Sequence, residues 1–514
     1  MLSKITPEEI QSYVADASNL AGGHAARVVF PEITQEVAEA LHEATRTQSP
    51  VTIAGAGTGI VGGRVPFGGI VLATDRLSRI KEIVKEDGGG RAVAEAGIVL
   101  ADLRRAVESR SLLYPPDPTE WSCYLGGTIA TNASGARTFK YGATRNYVRR
   151  LTVALATGDV LDLTRGEIRA DADGRLRIPL ARGRSIEARL PTYRMPQTRK
   201  HAAGYFVEPR MDAVDLFVGS EGTLGVVTEA ELKLLPMPEG LLSGVVFFAR
   251  EDELLAFVRE ARAASLETRA ERASNEASRA DAIDARALEY FDRNALEFLR
   301  AKYPAIPEGV AGAIFFEQET NAATEETLMT AWLALLEQNG ALLDSSWFAN
   351  GERDQERLRE FRHALPVLVN EWLAQHNQRK VSTDMAVPDE SFAAMLDFYR
   401  TTLDASHLAY VIFGHIGDNH LHVNILPRDD AEAQRAREIY MTFIRRAVSY
   451  GGTISAEHGI GKIKRDYLRE LYGDTHLREM AALKRAFDPA CILGRGNIFD
   501  EGFLTGANSD GVDD

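Results

Sequence analysis

Residues 51–75 read VTIAGAGTGIVGGRVPFGGIVLATD. Two short apolar runs, Val51–Ala54 and Ile70–Thr74, flank a loop dense in glycine, and both read as strands. Gly57-Thr58-Gly59-Ile60-Val61-Gly62 fits G-x-G-x-x-G, and Asp75 ends the second run, as in a dinucleotide-binding fingerprint. That fingerprint requires a helix after the glycines. Here Gly63, Pro66, Gly68 and Gly69 fill the short gap before residue 70, leaving no room for a crossover helix. The NAD reading therefore fails. What remains is a tight loop of backbone N–H groups that can approach a phosphate closely, or a plain glycine-rich hairpin.

Working outward, the chain alternates apolar runs with glycine clusters from about residue 20 to 240. Leu151–Ala156 reads as another strand. Pro31–Thr47 reads as a helix with Val37, Leu41 and Ala44 on one face. Thr6-Pro7-Glu8-Glu9 resembles a capping box and predicts a short helix over 6–17. From 240 to about 410 glycine thins and Ala, Glu, Arg and Leu dominate. Glu251–Ala264 has helical spacing, 266–300 has the same helix-like composition, and Thr324–Gln338 stops before Asn339-Gly340. Leu242–Phe248 and Ala313–Glu317 read as strands between them. The expectation is an α+β fold.

Composition bounds the function. Of 514 residues, 45 % are hydrophobic and 26 % charged, which excludes fibrous and largely disordered chains. The net charge of −15 argues against non-specific binding to nucleic acid or anionic membranes. Two cysteines, Cys123 and Cys491, cannot build a disulfide framework or ligate an iron–sulfur cluster. The start carries no secretory h-region, and no apolar run is long enough to span a membrane. A reducing, cytoplasmic setting is expected, with peripheral membrane contact and a homodimer left open. The tail from Gly506 is polar and expected to fray.

Chemistry concentrates late in the chain. Residues 410–427 read YVIFGHIGDNHLHVNILP and 451–461 read GGTISAEHGIG. Period-two alternation puts His422 and Asn424 on one strand face. Two imidazoles and a carboxylate suit a catalytic divalent metal with an open position, although lone histidines on strands are often purely structural.

Two further segments complete the pattern: 114–135, YPPDPTEWSCYLGGTIATNASG, followed by KYGATR at 140–145, and 215–229, DLFVGSEGTLGVVTE. With these the chain resembles the vanillyl-alcohol-oxidase type of FAD-binding proteins, in the branch of D-lactate, D-2-hydroxyglutarate and glycolate dehydrogenases. Matching segments run from about 24 to 236 and from 362 to 499. The resemblance implies an FAD-binding domain at 1–240, completed by a returning segment at 455–514. A substrate cap with an antiparallel sheet and flanking helices would span 241–454.

It further implies FAD along Gly55, Ala56, Gly57, Thr58 and Gly59 at the pyrophosphate. Pro116, Gly126, Gly127, Asn132, Ala133, Gly225 and Val226 would line the rest, with Asn497 a further contact where relatives read N-P-G-K. No histidine lies between 43 and 200, so the flavin is expected to be non-covalent. His415, His422 and Glu457 correspond to ligands of a divalent metal, zinc foremost, with manganese and iron(II) as alternatives. Asn424 corresponds to a substrate contact, and His458 to the base. Arg362 and Lys380, the latter with Arg379 as rival, would hold the substrate carboxylate. His420 stands where relatives commonly carry Asn, either supporting a ligand from behind or serving as an alternative ligand.

The activity implied is FAD-dependent, metal-assisted dehydrogenation of a D-2-hydroxy acid of the D-2-hydroxyglutarate or D-lactate type. Electrons would go to an external acceptor: a quinone, an electron-transfer flavoprotein or an iron–sulfur subunit. A flavin oxidase, a flavin-carrying subunit of a larger complex and a metal hydrolase are the competing readings.

Overall fold

The computed structural model describes residues 1–274, 279–349 and 351–504; the tail expected to fray lies outside them. Near the N-terminus, the strands Arg27–Phe30, Ile70–Ala73 and Val51–Ala54 form a parallel sheet, with Leu2–Lys4 antiparallel on its edge. Helix Thr34–Arg46 makes the crossover and buries Val37, Leu41 and Ala44, the face its spacing predicts. No helix follows the glycine loop before Ile70, which agrees with rejecting the dinucleotide reading. The predicted N-terminal helix is one α-turn, Pro7–Ile10, continued as a 3₁₀ turn, Gln11–Tyr13.

A second, antiparallel sheet runs in the order Ile80–Glu86, Gly89–Glu95, Val226–Pro236, Val148–Ala154, Val160–Thr164. Just after it in sequence, Gly240–Phe248 enters a seven-stranded antiparallel sheet. There it lies between Trp347–Phe348 and Gly312–Thr320, followed by Ala285–Asp292, Ala409–Gly414, His422–Leu426 and Val381–Ser382. Alternation sorts its two faces. Val246, Phe248, Ile314 and Phe316 share a core with Leu254, Phe257 and Trp332 of helices Glu251–Ala273 and Glu325–Gln338. Val245, Phe247, Ala313 and Phe315 pack on the other side with Leu299 and Phe361, from helices Arg293–Arg300 and Glu352–Gln375.

One expectation fails here. The helix-like 266–300 stretch ends its helix at Ala273, and Ala285–Asp292 is a central strand with every residue buried. Pairing with Gly312–Thr320 on one side and Ala409–Gly414 on the other outweighs the helical preference of its Ala, Arg, Leu and Glu.

The chain's end returns to the first sheet. After helix Arg465–Phe487, Val51 N–H donates to Ile492 O (2.8 Å) and Gly494 N–H to Val51 O (2.9 Å), adding Leu493 to the sheet edge. Fully buried Lys484 secures the return by donating to Asp488 Oδ2 (2.8 Å), Thr223 O (2.8 Å) and Leu493 O (2.9 Å).

Trp332 offers a test of the helix-covered face. It stacks on Phe316 at 4.3 Å and donates to Gln318 Oε1 at 2.8 Å, with no exposure. Trp332→Ala should cost about 3–5 kcal/mol, read as a lower urea midpoint for the transition that reports on this sheet.

Candidate functional site

Beside the glycine loop opens a cavity of about 380 Å³, lined by Gly55, Ala56, Thr58, Gly59, Gly126, Gly127, Ala133, Gly225, Val226 and Asn497, and also by Glu457 and His458. Two of these glycines are not explained by the chain's own packing. A Cβ on Gly59 or Gly127 would meet nothing within 4 Å, and neither has a left-handed φ. Bare backbone at these points instead admits a group from outside the chain, which fits a nucleotide cofactor laid along the loop. Arg64, absent from the sequence reading, also lines the cavity. Its Nη2 donates to Ser12 O (2.7 Å), and its guanidinium fills the space a Gly57 side chain would need.

Three of the expected contacts stand behind this lining. Gly57 is covered by Arg64. Pro116 is buried next to Asp117, whose carboxylate meets Arg104 (2.5 Å) and Arg137 (3.3 Å). The Asn132 side chain is spent within the fold, accepting from Arg145 N–H (3.0 Å) and donating to His201 O (3.4 Å). Asn497 holds the loop itself, donating to Gly63 O (3.0 Å) and accepting from Lys462 Nζ (2.7 Å).

Further imidazoles assemble around Glu457. Strands Ala409–Gly414 and His422–Leu426 pair with Phe413 opposite His422, and the turn between them carries His415 back over the sheet. Glu457 Oε1 lies 3.3 Å from His415 Nε2 and 3.3 Å from His422 Nε2. Ligands on a tetrahedral ion with bonds of 2.0–2.1 Å sit about 3.3 Å apart, so this spacing suits a bound divalent metal. The other carboxylate oxygen is occupied: Oε2 accepts from Ser134 Oγ (3.3 Å) and from Lys200 Nζ (3.1 Å). Lys200 is 1 % exposed and also donates to Gly135 O (2.9 Å).

Each of these two imidazoles is backed on its other nitrogen. His415 Nδ1 is 2.7 Å from Glu289 Oε1, and His422 Nδ1 is 3.3 Å from Thr383 O. Such partners fix ring orientation and tautomer in metal sites. Burial would depress His415, but the Glu289 and Glu457 carboxylates outweigh it and lift its pKa to about 9. His458 goes the other way: burial prevails over the adjacent Asp384, and its pKa falls to about 4. At neutral pH His458 is therefore an unprotonated base bordering the cavity. Its Nδ1 lies 3.3 Å from Asp384 Oδ2.

Arg362 reaches the cluster through Glu289, with Nε 3.4 Å from Glu289 Oε2. Asn424 is fully buried, and neither its Oδ1 nor its Nδ2 has a partner among the described residues. Of the rival cations, Arg379 is exposed and donates to Asn19 O (3.2 Å), whereas Lys380 is half-buried and burial lowers its pKa. Lys380 lies two residues before Ser382, which pairs with Asn424. Sequence reading missed Glu289, Lys200, Asp384, Ser134 and Arg64. Arg64 and Ser134 lie inside segments whose glycines drew the reading, and Glu289, Lys200 and Asp384 sit where no motif marks them.

Comparison with known proteins places the chain in a family. Residues 25–164 match the FAD binding domain model, and 261–498 match that of FAD linked oxidases, C-terminal domain. A glycolate oxidase subunit of Bacillus subtilis (strain 168) is 31 % identical over 92 % of this chain and 88 % of its own. A D-lactate dehydrogenase of Anaerostipes hadrus is 29 % identical over 96 % and 98 %. A D-2-hydroxyglutarate dehydrogenase of Stutzerimonas stutzeri (strain A1501) is 28 % identical over 92 % and 90 %. Among solved structures, an alkyldihydroxyacetonephosphate synthase shares the fold, with a TM-score of 0.63 at 16 % identity over 96 % of this chain and 82 % of that one.

The raised His415 pKa gives a pH test. A ligating imidazole must be unprotonated, and below about pH 9 His415 holds a proton that a metal has to displace. Metal affinity should therefore rise with pH, about tenfold per unit between 7 and 9, and level off above. Competition with a chelating dye at several pH values measures it. Glu289→Gln, which removes the charge that lifts His415, should flatten the slope.

Proposed function

We propose that this chain, which belongs to the FAD-linked D-2-hydroxyacid dehydrogenase family, oxidises a D-2-hydroxy acid of the D-lactate or D-2-hydroxyglutarate type to the 2-oxo acid with the help of a divalent metal. The family makes it an FAD-linked oxidoreductase. The observation that carries the finer reading is the meeting of the cavity with the His415/His422/Glu457 set at Glu457 and His458. When bound, FAD supplies the hydride acceptor, and a metal held by that set, zinc foremost, supplies a Lewis acid for the substrate hydroxyl and carboxylate.

The chain's own residues do the rest. His458, unprotonated and oriented by Asp384 on Nδ1, takes the hydroxyl proton at Nε2. Asn424 offers a buried amide, and Arg362 and Lys380 offer positive charge, to the substrate. Ser134 and Lys200 keep Glu457 turned so that Oε1 faces the imidazoles. Residues 1–240 and 455–514 are read as the flavin unit and 241–454 as the cap. Flavin is held without a covalent bond, and its electrons leave to an external acceptor. No helix among the described residues is long and apolar enough to cross a membrane.

Anaerobic mixing with D- and L-2-hydroxy acids, monitored at the flavin absorbance band, tests the reading. A D-acid should bleach the band, its L-isomer should not, and chelation should slow the bleaching. No bleaching by any acid would refute the assignment. His458→Gln should slow flavin reduction by about 10²–10⁴-fold while flavin stays bound.

A further inference from the structure

His420 is a fully buried imidazole with no hydrogen bond of adequate geometry on either ring nitrogen among the described residues. A neutral imidazole carries one N–H and one lone pair, and burying both unmatched costs free energy that folds rarely leave unanswered. Its backbone does not let it swing away. His420 N–H donates to His415 O (3.2 Å), and the residue bridges Ala386 of the neighbouring segment. Its ring lies 4.6 Å from that of His422 and 5.3 Å from that of His415, centre to centre. One ligand atom from each of His415, His420, His422 and Glu457 falls within 4.8 Å of the others.

The pattern already seen at His415 is repeated here. His415 has a carboxylate behind one nitrogen, Glu289, and the cluster before the other. His420 Nε2 faces Asp384 Oδ1 at 3.2 Å, a carboxylate placed to take an N–H once the ring settles. A carboxylate behind a ring nitrogen is the usual support of a metal-bound histidine.

We propose that His420 is a fourth protein ligand, so that the metal site is a three-histidine, one-glutamate set; this rests on the metal-assisted reading of the same site. Ligand atoms on a tetrahedral zinc ion sit about 3.4 Å apart with ~2.1 Å bonds, so atoms that lie within 4.8 Å of one another must close by up to about 1.4 Å as the rings turn onto the ion. The consequence is chemical. Four protein ligands fill a tetrahedral ion, and a hydroxy acid then enters only where the ion expands its coordination. This chain would therefore favour an ion that accepts five or six ligands more strongly than a site with three protein ligands would.

X-ray absorption at the zinc edge of the intact flavoprotein, loaded with zinc and free of substrate, counts the imidazoles directly. Three are expected, and two overturn the proposal. His420→Asn should lower the count by one and raise the zinc dissociation constant at least tenfold with flavin retained. An unchanged count and affinity in that variant also overturn it. If the variant loses flavin through misfolding, the count on the unmutated protein decides alone. Failure of the unmutated protein to take up zinc, manganese or iron(II) is a different result: it removes the metal-assisted reading itself, and the proposal with it.

Discussion

The carboxylate of Asp384 is the constraint on which the site depends. It has no exposure, and it accepts from Ser455 Oγ (2.6 Å), Glu457 N–H (3.2 Å), His458 N–H (3.1 Å) and Lys464 Nζ (2.6 Å). These donors come from one short stretch of chain, so one buried charge fixes the backbone of both Glu457 and His458. Burial opposes the ionised form, yet His458, which is charged once acid protonates it, the Lys464 charge and the hydrogen bonds hold its pKa well below the usual carboxylate range. A second, half-buried acid adds to this. Glu221 accepts from Ile460 N–H (2.6 Å) and Gly461 N–H (2.7 Å), so the glycine-rich turn after His458 is anchored as well. Glycines make that turn possible, and carboxylates make it rigid.

The cavity and the seven-stranded sheet must keep their relative position for Glu457 to serve both. Buried ion pairs join them. Asp117 meets Arg104 and Arg137, Arg137 reaches Glu317 (3.3 Å), and Glu317 meets Arg286 (2.8 Å), the last two on neighbouring strands of that sheet. Such a chain of charges is a poor source of net stability, because desolvation consumes much of the attraction. It is specific, however: removing one member leaves its partners charged in a dry environment. The role best suited to it is alignment of the cavity wall with that sheet, with the apolar packing on both faces of the sheet supplying the stability.

Sequence showed what local spacing encodes. The glycine loop, the parallel strands around it, the helix Thr34–Arg46 and the alternation through His422–Leu426 all follow from nearest-neighbour chemistry. The grouping of His415, His422, Glu457 and His458 was legible through the family pattern. Glu289 and Lys200 were not, for a physical reason. Glu289 lies in a strand whose composition favours helix and which becomes a strand only because it is paired on both sides. Lys200 sits in irregular backbone between turns, where no periodicity marks it. Both are buried charges, and what keeps a buried charge in place is its partner, which comes from a distant part of the chain.

The histidines finally divide by environment rather than by residue type. His415 sits between two carboxylates and is driven toward its protonated form, whereas His458 is driven toward its neutral form by burial. Pushing apart the proton affinities of like groups is how a site separates roles. A group that holds its proton tightly against a pair of acids occupies a place suited to a cation, which is why it is proposed as a ligand. A group held neutral at the cavity wall, with one nitrogen backed by Asp384, is left with a lone pair facing the space where a substrate would lie. The proposed division into ligand and base rests on where the carboxylates stand, and the carboxylates stand where the sheet pairing and the Asp384 anchor put them.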